Sequence, residues 1–244
     1  MARHFTSESS QYLGIALPVA TSAPVTMVAW FNCDSIAATQ VILCISDYSG
    51  GEYGEWFMLN VNSAGAKPVQ AQVFDQNTVR TASTSTGLTV GQWHHAAGVF
   101  AADNDRAVFI DGGSKGTNTV AASPDGVSHT AIGINWRDGL PYPDSFDGSI
   151  AEAAIWNVAL LEAEVALLAK GLCPLFIRPQ NIAGYWSLLR SDRDYFGVYN
   201  MTPVNNPTWA DHKAMFYPTI PIVWPLASGA PVGAAVPAMW PRMF

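Results

Sequence analysis

Gln92-Trp-His-His-Ala-Ala-Gly-Val-Phe100 and Arg106-Ala-Val-Phe-Ile110 are two β-rich runs, separated by the turn residues Asp103-Asn-Asp105. Aromatic and β-branched side chains favour strands, and a short polar turn joins antiparallel neighbours. Asp111-Gly-Gly113 ends the second run, because an Asp-Gly pair readily adopts the positive φ of a tight turn. These residues therefore predict a β-hairpin.

Similar short runs recur along most of the chain, divided by Gly, Pro, Asn, Asp and Ser. They are Thr26–Phe31, Gln40–Ile45, Glu55–Val61, Pro68–Phe74, Thr130–Ile134, Gly148–Trp156, Ile182–Leu189 and Val204–Trp209. Many short strands at this spacing are typical of a sandwich or a barrel. One segment differs, because Leu160–Lys170 consists of strong helix formers and is followed by Gly171, a typical C-cap. It predicts one short helix over the sandwich.

Four stretches in this order resemble the laminin-G-like (concanavalin A-like lectin/glucanase) superfamily. They are Val25–Phe31, Gly91–Phe100, Ala107–Gly112 and Phe146–Asn157. The resemblance extends over roughly residues 3–212 and includes domains of the kind found in phage structural proteins. It implies an all-β fold, a two-sheet antiparallel jelly-roll sandwich, for residues 1–212.

Two positions depart from the pattern of that superfamily. Ala151 stands where the family has an Asp, although the following Glu152 is kept. Leu161 replaces the small residue that usually precedes the helix. The missing Asp argues against a binding site inherited at that point of the rim.

The chain is poor in charge. Charged residues make up 13%, the formal net charge is −7, and Lys and Arg together number 12. These cations form no cluster, so the sequence excludes nucleic-acid binding. The N-terminus has no apolar signal-peptide core, and no run is long enough to span a bilayer. We therefore expect synthesis and folding in a host cytoplasm.

The three cysteines, Cys33, Cys44 and Cys173, have neither the number nor the spacing of a disulfide framework or a metal site. Cys33 and Cys44 lie in apolar, strand-like runs, so the cysteines are expected to be small buried hydrophobic residues. A Cys33–Cys44 bridge is the alternative.

Catalytic residues are not evident. Retaining glycoside hydrolases need two carboxyl groups about 5–5.5 Å apart. The nearest candidates, Glu52 and Glu55, are three residues apart, so a strand would point them to opposite faces. His94 and His95 have no Asp, Glu or Cys beside them in the sequence. We therefore expect them to be ordinary strand residues and not catalytic or metal-binding histidines. We therefore expect a protein that is not an enzyme.

The segment between the predicted strands at 134 and 148 is the candidate binding loop. Trp136, Arg137, Asp138 and Tyr142 are the predicted glycan-binding residues, because aromatic rings stack on sugars while Arg and Asp bind hydroxyl groups. Trp56 is a further candidate, beside a second loop. The alternative is that Trp136 and Trp56 belong to the core.

The resemblance also implies a calcium ion at the rim of the sandwich, since relatives often bind one there. Asp47, Asp138 and Asp144 are the candidate ligands, because calcium takes six to eight oxygen atoms. The alternative is that they are turn residues, as Asp beside Gly or Pro usually is. Apart from calcium, the sequence predicts no cofactor.

Residues 213–244 form an apolar tail with prolines at 218, 221, 225, 231, 237 and 241. These prolines exclude a long helix or an inner strand, so an extended C-terminal arm is expected. Its predicted docking residues are Ile220, Ile222, Trp224, Leu226, Met239, Trp240 and Phe244. Because such a surface would aggregate if exposed, the arm must dock on a neighbouring subunit or on its own sandwich.

These features favour a non-enzymatic structural protein, most concretely a phage or virus capsid decoration protein on the virion surface. Its arm is expected to bind a second copy of the chain or a major-capsid-type scaffold protein. The observations that support this hypothesis are the low charge, the missing signal peptide and the arm itself. The alternative is a glycan-binding lectin or adhesion module on a tail fibre or cell surface, and a glycoside hydrolase is the weakest candidate.

Overall fold

The computed structural model of the chain describes residues 1–47, 54–66, 68–75, 78–137, 140–141 and 144–217. One α-helix, α1 (Glu162–Ala169), accompanies the β-strands, and no helix in these ranges has the length and apolarity to cross a bilayer. The strands are β1 (Ala2–Phe5), β2 (Tyr12–Ile15), β3 (Val25–Cys33), β4 (Gln40–Ser46), β5 (Trp56–Val61), β6 (Pro68–Asp75), β7 (Thr78–Gly87), β8 (His94–Ala102), β9 (Asp105–Ile110), β10 (Gly113–Asn118), β11 (His129–Ile132), β12 (Trp136–Arg137), β13 (Leu140–Pro141), β14 (Gly148–Trp156), β15 (Ile182–Trp186), β16 (Thr202–Val204) and β17 (Thr208–Ala210).

Two antiparallel sheets contain nearly all of these strands. The eight-stranded sheet has the order β10-β9-β8-β3-β14-β1-β17, and β15 also pairs with β14. The seven-stranded sheet has the order β16-β2-β11-β4-β5-β6-β7, whereas β12 and β13 form a separate small hairpin. Strands distant in sequence are neighbours in both sheets, which is consistent with a jelly roll. The predicted two-sheet antiparallel sandwich with one short helix is confirmed.

The main core lies between the sheets, because alternate residues of each strand point inward. Phe57 of β5 belongs to this inner cluster, and its ring meets that of Phe100 in the facing sheet at a centroid distance of 5.2 Å. Trp56 and Met58, on either side of Phe57 in the sequence, belong to a different cluster on the outer face. Burying each large side chain contributes roughly 1.5–3 kcal/mol.

The outer face of the eight-stranded sheet is also apolar, and α1 packs on it. This outer cluster consists of Val28, Ala97, Val99, Phe109, Ala154, Trp156, Leu160, Val165, Leu168, Leu172, Cys173, Ile177 and Tyr185. Trp156 is fully buried there, and its indole N–H donates to the carbonyl of Ile177 at 2.8 Å. The eight-stranded sheet is therefore buried on both faces.

The helix is shorter than the predicted segment Leu160–Lys170. It begins at Glu162, and the carboxylate of Glu164 accepts the backbone N–H of Leu161 at 2.7 Å. This bond satisfies a backbone group at the helix start, where Leu161 offers no side-chain cap. At the other end Gly171 adopts φ 91°, as expected for a residue that follows a helix.

The sequence patterns miss six strands, namely β1, β2, β7, β10, β12 and β13, and they predict one strand where β16 and β17 belong to different sheets. The longest of them, β7, is rich in Thr and Ser and alternates few buried with many exposed residues. It lies at the edge of its sheet, as β10 does in the other sheet. Edge strands bury little apolar surface, so hydrophobic alternation does not reveal them.

Cys33 and Cys44 lie on different surfaces of the sandwich. Cys33 packs in the inner core, whereas Cys44 packs in the outer cluster of the seven-stranded sheet. All three cysteines are buried, as expected. The alternative of a Cys33–Cys44 bridge is wrong, because both cysteines are free and the seven-stranded sheet lies between their side chains.

The first residues of the predicted arm, 213–217, lie against the sandwich. Met215 packs beside Trp30 on the outer face of the eight-stranded sheet, and the N–H of Cys173 donates to the carbonyl of Phe216 at 3.2 Å. The docking residues predicted for the arm lie outside the described residues: Ile220, Ile222, Trp224, Leu226, Met239, Trp240 and Phe244. Binding of the arm to a neighbouring subunit therefore stays a prediction.

The close approach of β10 to β7 gives a test of the sandwich. A Cβ added at Gly116 would overlap the backbone carbonyl of Ser83, and backbone cannot move aside as a flexible side chain can. We expect Gly116→Ala to lower the free energy of unfolding by about 1–3 kcal/mol, measured by urea denaturation. Gly113→Ala, in open space on the same strand, should change it by less than about 0.5 kcal/mol. Equal losses in the two variants would contradict this packing.

Candidate functional site

The outer face of the seven-stranded sheet is the candidate site. Its paired residues form a row across six strands, namely Gly14, Ala131, Cys44, Met58, Gln72 and Thr81, each opposite the next. The side chains lengthen from Gly14 towards Gln72, so the sheet surface is lowest at the Gly14 end of the row. We call this row the trough.

Trp136 lies over the low end of the trough. A Cβ added at Gly14 would be only 2.6 Å from Cζ3 of Trp136, so the missing side chain makes room for the indole. The Trp136 ring also contacts the rings of Tyr12 and His129, at centroid distances of 5.6 and 4.6 Å. All three side chains are partly exposed. Tyr12, His129 and Trp136 together form what we call the aromatic platform.

Two hydrogen bonds fix the backbone that carries Trp136. The hydroxyl of Ser46 donates to the carbonyl of Trp136 at 2.6 Å, and the thiol of Cys44 donates to Oδ1 of Asn135 at 3.5 Å. Ser46 and Cys44 both belong to β4, which lies inside the sheet. The position of the indole therefore depends on the sheet itself rather than on the loop alone.

His129 is the titratable member of the platform. Burial lowers its pKa, while the negative charge of Asp47 acts in the opposite direction. Its Nδ1 lies 2.8 Å from the hydroxyl of Ser128. The lowered pKa favours the neutral imidazole, in which one ring nitrogen donates a hydrogen bond and the other accepts one.

Amide side chains lie beside the far end of the trough. Nε2 of Gln70 donates to the hydroxyl of Ser83 at 2.9 Å, and Nε2 of Gln72 donates to Oε1 of Gln70 at 3.0 Å. Asn60, opposite Gln70 on β5, is fully buried, and its amide has no hydrogen-bond partner in the described structure. Leaving such a group unpaired costs about 1–3 kcal/mol. Asn60 therefore lies beneath the surface of the trough.

The structure brings together only part of the predicted glycan site. Trp136 lies on the outer face, but Asp138, Tyr142 and the side chain of Arg137 lie outside the described residues. Trp56 is buried in β5 and stacks on Phe74 at a centroid distance of 4.3 Å, so it is a core residue. No pattern in the sequence points to Tyr12 or His129, since each contacts Trp136 only through the pairing of β2 with β11.

The predicted calcium ligands are not all close to one another. Asp47 directly follows β4, whereas the carbonyl of Asp144 accepts the N–H of Val41 at the start of that strand, at 2.9 Å. Six strand residues separate the two ends by about 20 Å, so Asp47 and Asp144 cannot share one ion. No group of three His, Cys, Asp or Glu residues suited to a metal occurs in the described ranges. Calcium binding through Asp138, which lies outside those ranges, stays a prediction.

Two carboxylates near the sheet edge accept hydrogen bonds from the backbone of the loop at residues 123–125. Oε2 of Glu55 accepts the backbone N–H of Asp125 at 2.5 Å, and Oδ2 of Asp75 accepts that of Ser123 at 3.0 Å. Glu52, the other member of the pair considered in the sequence, lies outside the described residues. These bonds assign Glu55 a structural contact.

The adjacent histidines of β8 share one partner, Asp111. Nδ1 of His94 lies 2.7 Å from Oδ2 of Asp111, and the backbone N–H of His95 donates to Oδ1 at 2.8 Å. The ring of His95 is fully buried against Trp30, and burial lowers its pKa to about 4. Sequence proximity missed Asp111, which the β8–β9 pairing brings close.

A second buried polar group lies beneath the C-terminal segment. Glu152 adopts a positive φ of 52° within β14 and accepts the hydroxyl of Tyr185 at 2.5 Å. Nε2 of His212 lies 3.1 Å from the other carboxylate oxygen, and its hydrogen bond to Glu152 raises the pKa of His212 against the effect of burial. The contact ties the start of the C-terminal segment to the eight-stranded sheet.

Comparisons with known proteins agree with this architecture. A family described as the concanavalin A-like lectin/glucanases superfamily matches residues 7–166. A comparison with curated protein sequences found no match.

Several solved structures share the fold. A putative carbohydrate-binding protein from Bacteroides ovatus aligns with a TM-score of 0.58 and 19% identity over 87% of this chain and 60% of that protein. Domain 4 of an extracellular arabinanase from Geobacillus stearothermophilus, solved with arabinotriose, aligns with a TM-score of 0.52 and 20% identity over 64% and 72%. The CBM40 domain of the Ruminococcus gnavus IT-sialidase gives a TM-score of 0.52 and 15% identity over 69% and 97%. At these identities the likeness concerns the fold alone.

The buried His95 predicts a pH dependence of stability. Its pKa is lowered to about 4, whereas in the unfolded chain it is about 6.5, so between these values the unfolded state binds more protons. The neutral, buried His95 therefore contributes fully to the free energy of unfolding above pH 6.5. This contribution is lost as the pH falls to 4 and amounts to about 3 kcal/mol, at about 1.4 kcal/mol for each unit of pKa difference.

The measurement is chemical denaturation of wild type and His95→Gln at several pH values. The difference in unfolding free energy between them should change across the window from pH 6.5 to 4. The matched variant His94→Gln keeps the buried imidazole of His95. Its unfolding free energy should therefore decrease with falling pH as that of the wild type does. A parallel profile for His95→Gln and wild type would contradict the assignment.

Proposed function

Because this chain belongs to the concanavalin A-like lectin/glucanase superfamily, we propose that it binds glycans, without cleaving them, on the outer face of its seven-stranded sheet. One observation carries the proposal: Trp136 is partly exposed and lies over Gly14, at the low end of the trough, beside the ring of Tyr12. Sugar rings have apolar faces that stack on aromatic side chains, and a preformed platform loses little entropy on binding.

The polar groups around the platform suit hydroxyl groups. The neutral imidazole of His129 offers a donor and an acceptor at one end. The amides of Gln70 and Gln72 and the hydroxyl of Ser83 line the other end of the trough. The described part of this face contains no Lys or Arg side chain, whereas Asp47 and Glu55 lie near it. We therefore expect uncharged glycans to bind better than sialylated ones.

The relatives support a binding role. The Bacteroides ovatus protein is described as a putative carbohydrate-binding protein, and the arabinanase domain was solved with arabinotriose. The non-catalytic character of the proposal is supported by the use of Glu55 in a loop contact and of Asp111 in histidine contacts.

The role as a capsid decoration protein and the virion location stay predictions from the sequence. They rest on the arm, whose residues beyond Tyr217 lie outside the described structure. The named relatives are a putative carbohydrate-binding protein and domains of an arabinanase and a sialidase, and they supply no argument for a particle.

We expect Trp136→Ala to weaken glycan binding at least about tenfold, because it removes the stacking surface and about 1.4 kcal/mol corresponds to a factor of ten. A glycan array with uncharged and sialylated oligosaccharides should identify the ligand, and calorimetry should then give the dissociation constants. Repeating the array with EDTA tests the predicted calcium ion.

Trp209→Ala is the matched control. Trp209 is also a partly exposed tryptophan, but it lies at the edge of the eight-stranded sheet, where Arg3 covers its ring at 3.7 Å. This variant should bind as wild type does. Absence of binding to every sugar on the array would refute the proposed function, and equal affinities of Trp136→Ala and wild type would refute the site.

A further inference from the structure

The C-terminal segment at residues 211–217 is held on the eight-stranded sheet mainly by polar contacts. None of its seven side chains is fully buried. The N–H of Phe216 donates to the carbonyl of Gly171 at 2.6 Å, and the carbonyl of Phe216 accepts the N–H of Cys173 at 3.2 Å. A segment that buries few apolar groups opens more easily than the core. Its hydrogen bonds and charges therefore decide whether it stays docked.

His212 makes the polar contacts at the start of this segment. Its Nδ1 lies 2.6 Å from the carbonyl oxygen of Lys213, and its Nε2 lies 3.1 Å from the carbonyl oxygen of Ser187. Carbonyl oxygens only accept hydrogen bonds, so both ring nitrogens have to donate. A neutral imidazole carries one N–H, whereas the imidazolium carries two. The two contacts therefore favour the charged form of His212.

Glu152 supplies the opposite charge from the sheet below. Its carboxylate is 1% exposed, accepts the hydroxyl of Tyr185 at 2.5 Å, and has Nε2 of His212 at 3.1 Å from its other oxygen. A buried carboxylate is costly unless it is paired and hydrogen-bonded. Burial acts to lower the pKa of His212, but the contacts with Glu152 and Ser187 outweigh it and raise that pKa.

Other titratable groups surround this ion pair. The thiol of Cys173 lies 3.7 Å from the hydroxyl of Tyr185, and burial raises the pKa of both groups, to about 11 for Cys173. His95 is neutral above its pKa of about 4. The remaining groups are Lys213, whose Nζ lies over the Trp30 ring at 4.6 Å, the hydroxyl of Tyr217, whose pKa is raised by burial, and the amino group of Met1, whose pKa is lowered by burial and which also interacts with Arg190, Asp211 and Glu152.

We propose that His212 is a pH-dependent latch, which holds residues 211–217 on the sheet while its imidazole is charged and releases them when the proton is lost. Loss of the proton leaves one ring nitrogen facing a carbonyl oxygen and leaves Glu152 without its counter-charge. Both costs disappear once the segment lifts and water reaches the two side chains. Release would uncover Trp30, on which Met215 packs, and would free the chain that continues into residues 218–244. The latch does not depend on glycan binding.

The direction of the pH effect follows from the two states of His212. Its pKa is raised above 6.5 in the docked segment, whereas the released segment has the ordinary value of 6.5. The contribution of His212 to docking is therefore fully present below pH 6.5 and is lost as the pH rises through the raised pKa. The effect of His95 on global stability lies on the other side of pH 6.5, so the two are separable.

Hydrogen exchange of the full-length chain between about pH 6 and about pH 9 tests the latch. The probes are the backbone N–H groups of Phe216 and Cys173, with rates corrected for the intrinsic pH dependence of exchange. We expect their protection to fall by about tenfold or more over this range, a usual size for the coupling of two linked equilibria. Protection in β14 should not change, because the sheet itself stays folded.

His212→Gln keeps a donor but cannot titrate, and it retains the amino group of Met1. Its protection should be lower than that of wild type at about pH 6 and nearly constant up to about pH 9. The matched control is His4→Gln, which removes a histidine 3.6 Å from a different carboxylate, that of Asp34. This variant should keep the wild-type profile.

A flat profile in wild type would overturn the latch. A fall of equal size in His212→Gln would also overturn it, because the effect would then belong to the amino group of Met1. A nuclear magnetic resonance titration of the wild-type imidazoles needs no variant: His212 should titrate above pH 6.5, together with the loss of protection. Titration of His212 at or below pH 6.5 would contradict the proposal.

Discussion

The structure depends on one constraint: the eight-stranded sheet is apolar on both faces, and both faces must be shielded from water. The inner face packs on the seven-stranded sheet, as in any sandwich. The outer face carries Trp156 and Phe109, which α1 and the segment after it bury. The residues around His212 and Met215 extend this cover, held by Glu152 and by contact with Trp30. The helix and the C-terminal segment are thus a third layer of the fold.

The same constraint decides which face is left for a ligand. Because the outer face of the eight-stranded sheet is covered, the ligand face is the outer face of the seven-stranded sheet. This face combines aromatic rings with polar side chains, as glycan binding requires. Its trough is lined at one end by the aromatic platform and at the other by the amides of Gln70 and Gln72. Gly14 has a defined part in this arrangement, because its missing side chain determines where the indole of Trp136 can lie.

The sequence could predict elements whose residues are close together in the chain. The β8–β9 hairpin follows from its alternating runs and turn residues, and α1 follows from its helix formers and Gly171. It could not reveal β7, whose Thr- and Ser-rich edge buries too little apolar surface to show a pattern. Nor could it pair Tyr12 with Trp136, since that contact arises from the register of β2, β11 and β4. Residue type alone places Asp47 with Asp144, whereas the length of β4 separates them.

The central claim is that the ligand face is the outer face of the seven-stranded sheet and that the eight-stranded sheet is closed. Hydrogen exchange of the full chain, with and without a saturating oligosaccharide found on the array, measures this most directly. We expect slower exchange in β2 and β11 and around Trp136, with β8, β9 and α1 unchanged. Protection confined to α1 and the eight-stranded sheet would contradict the account.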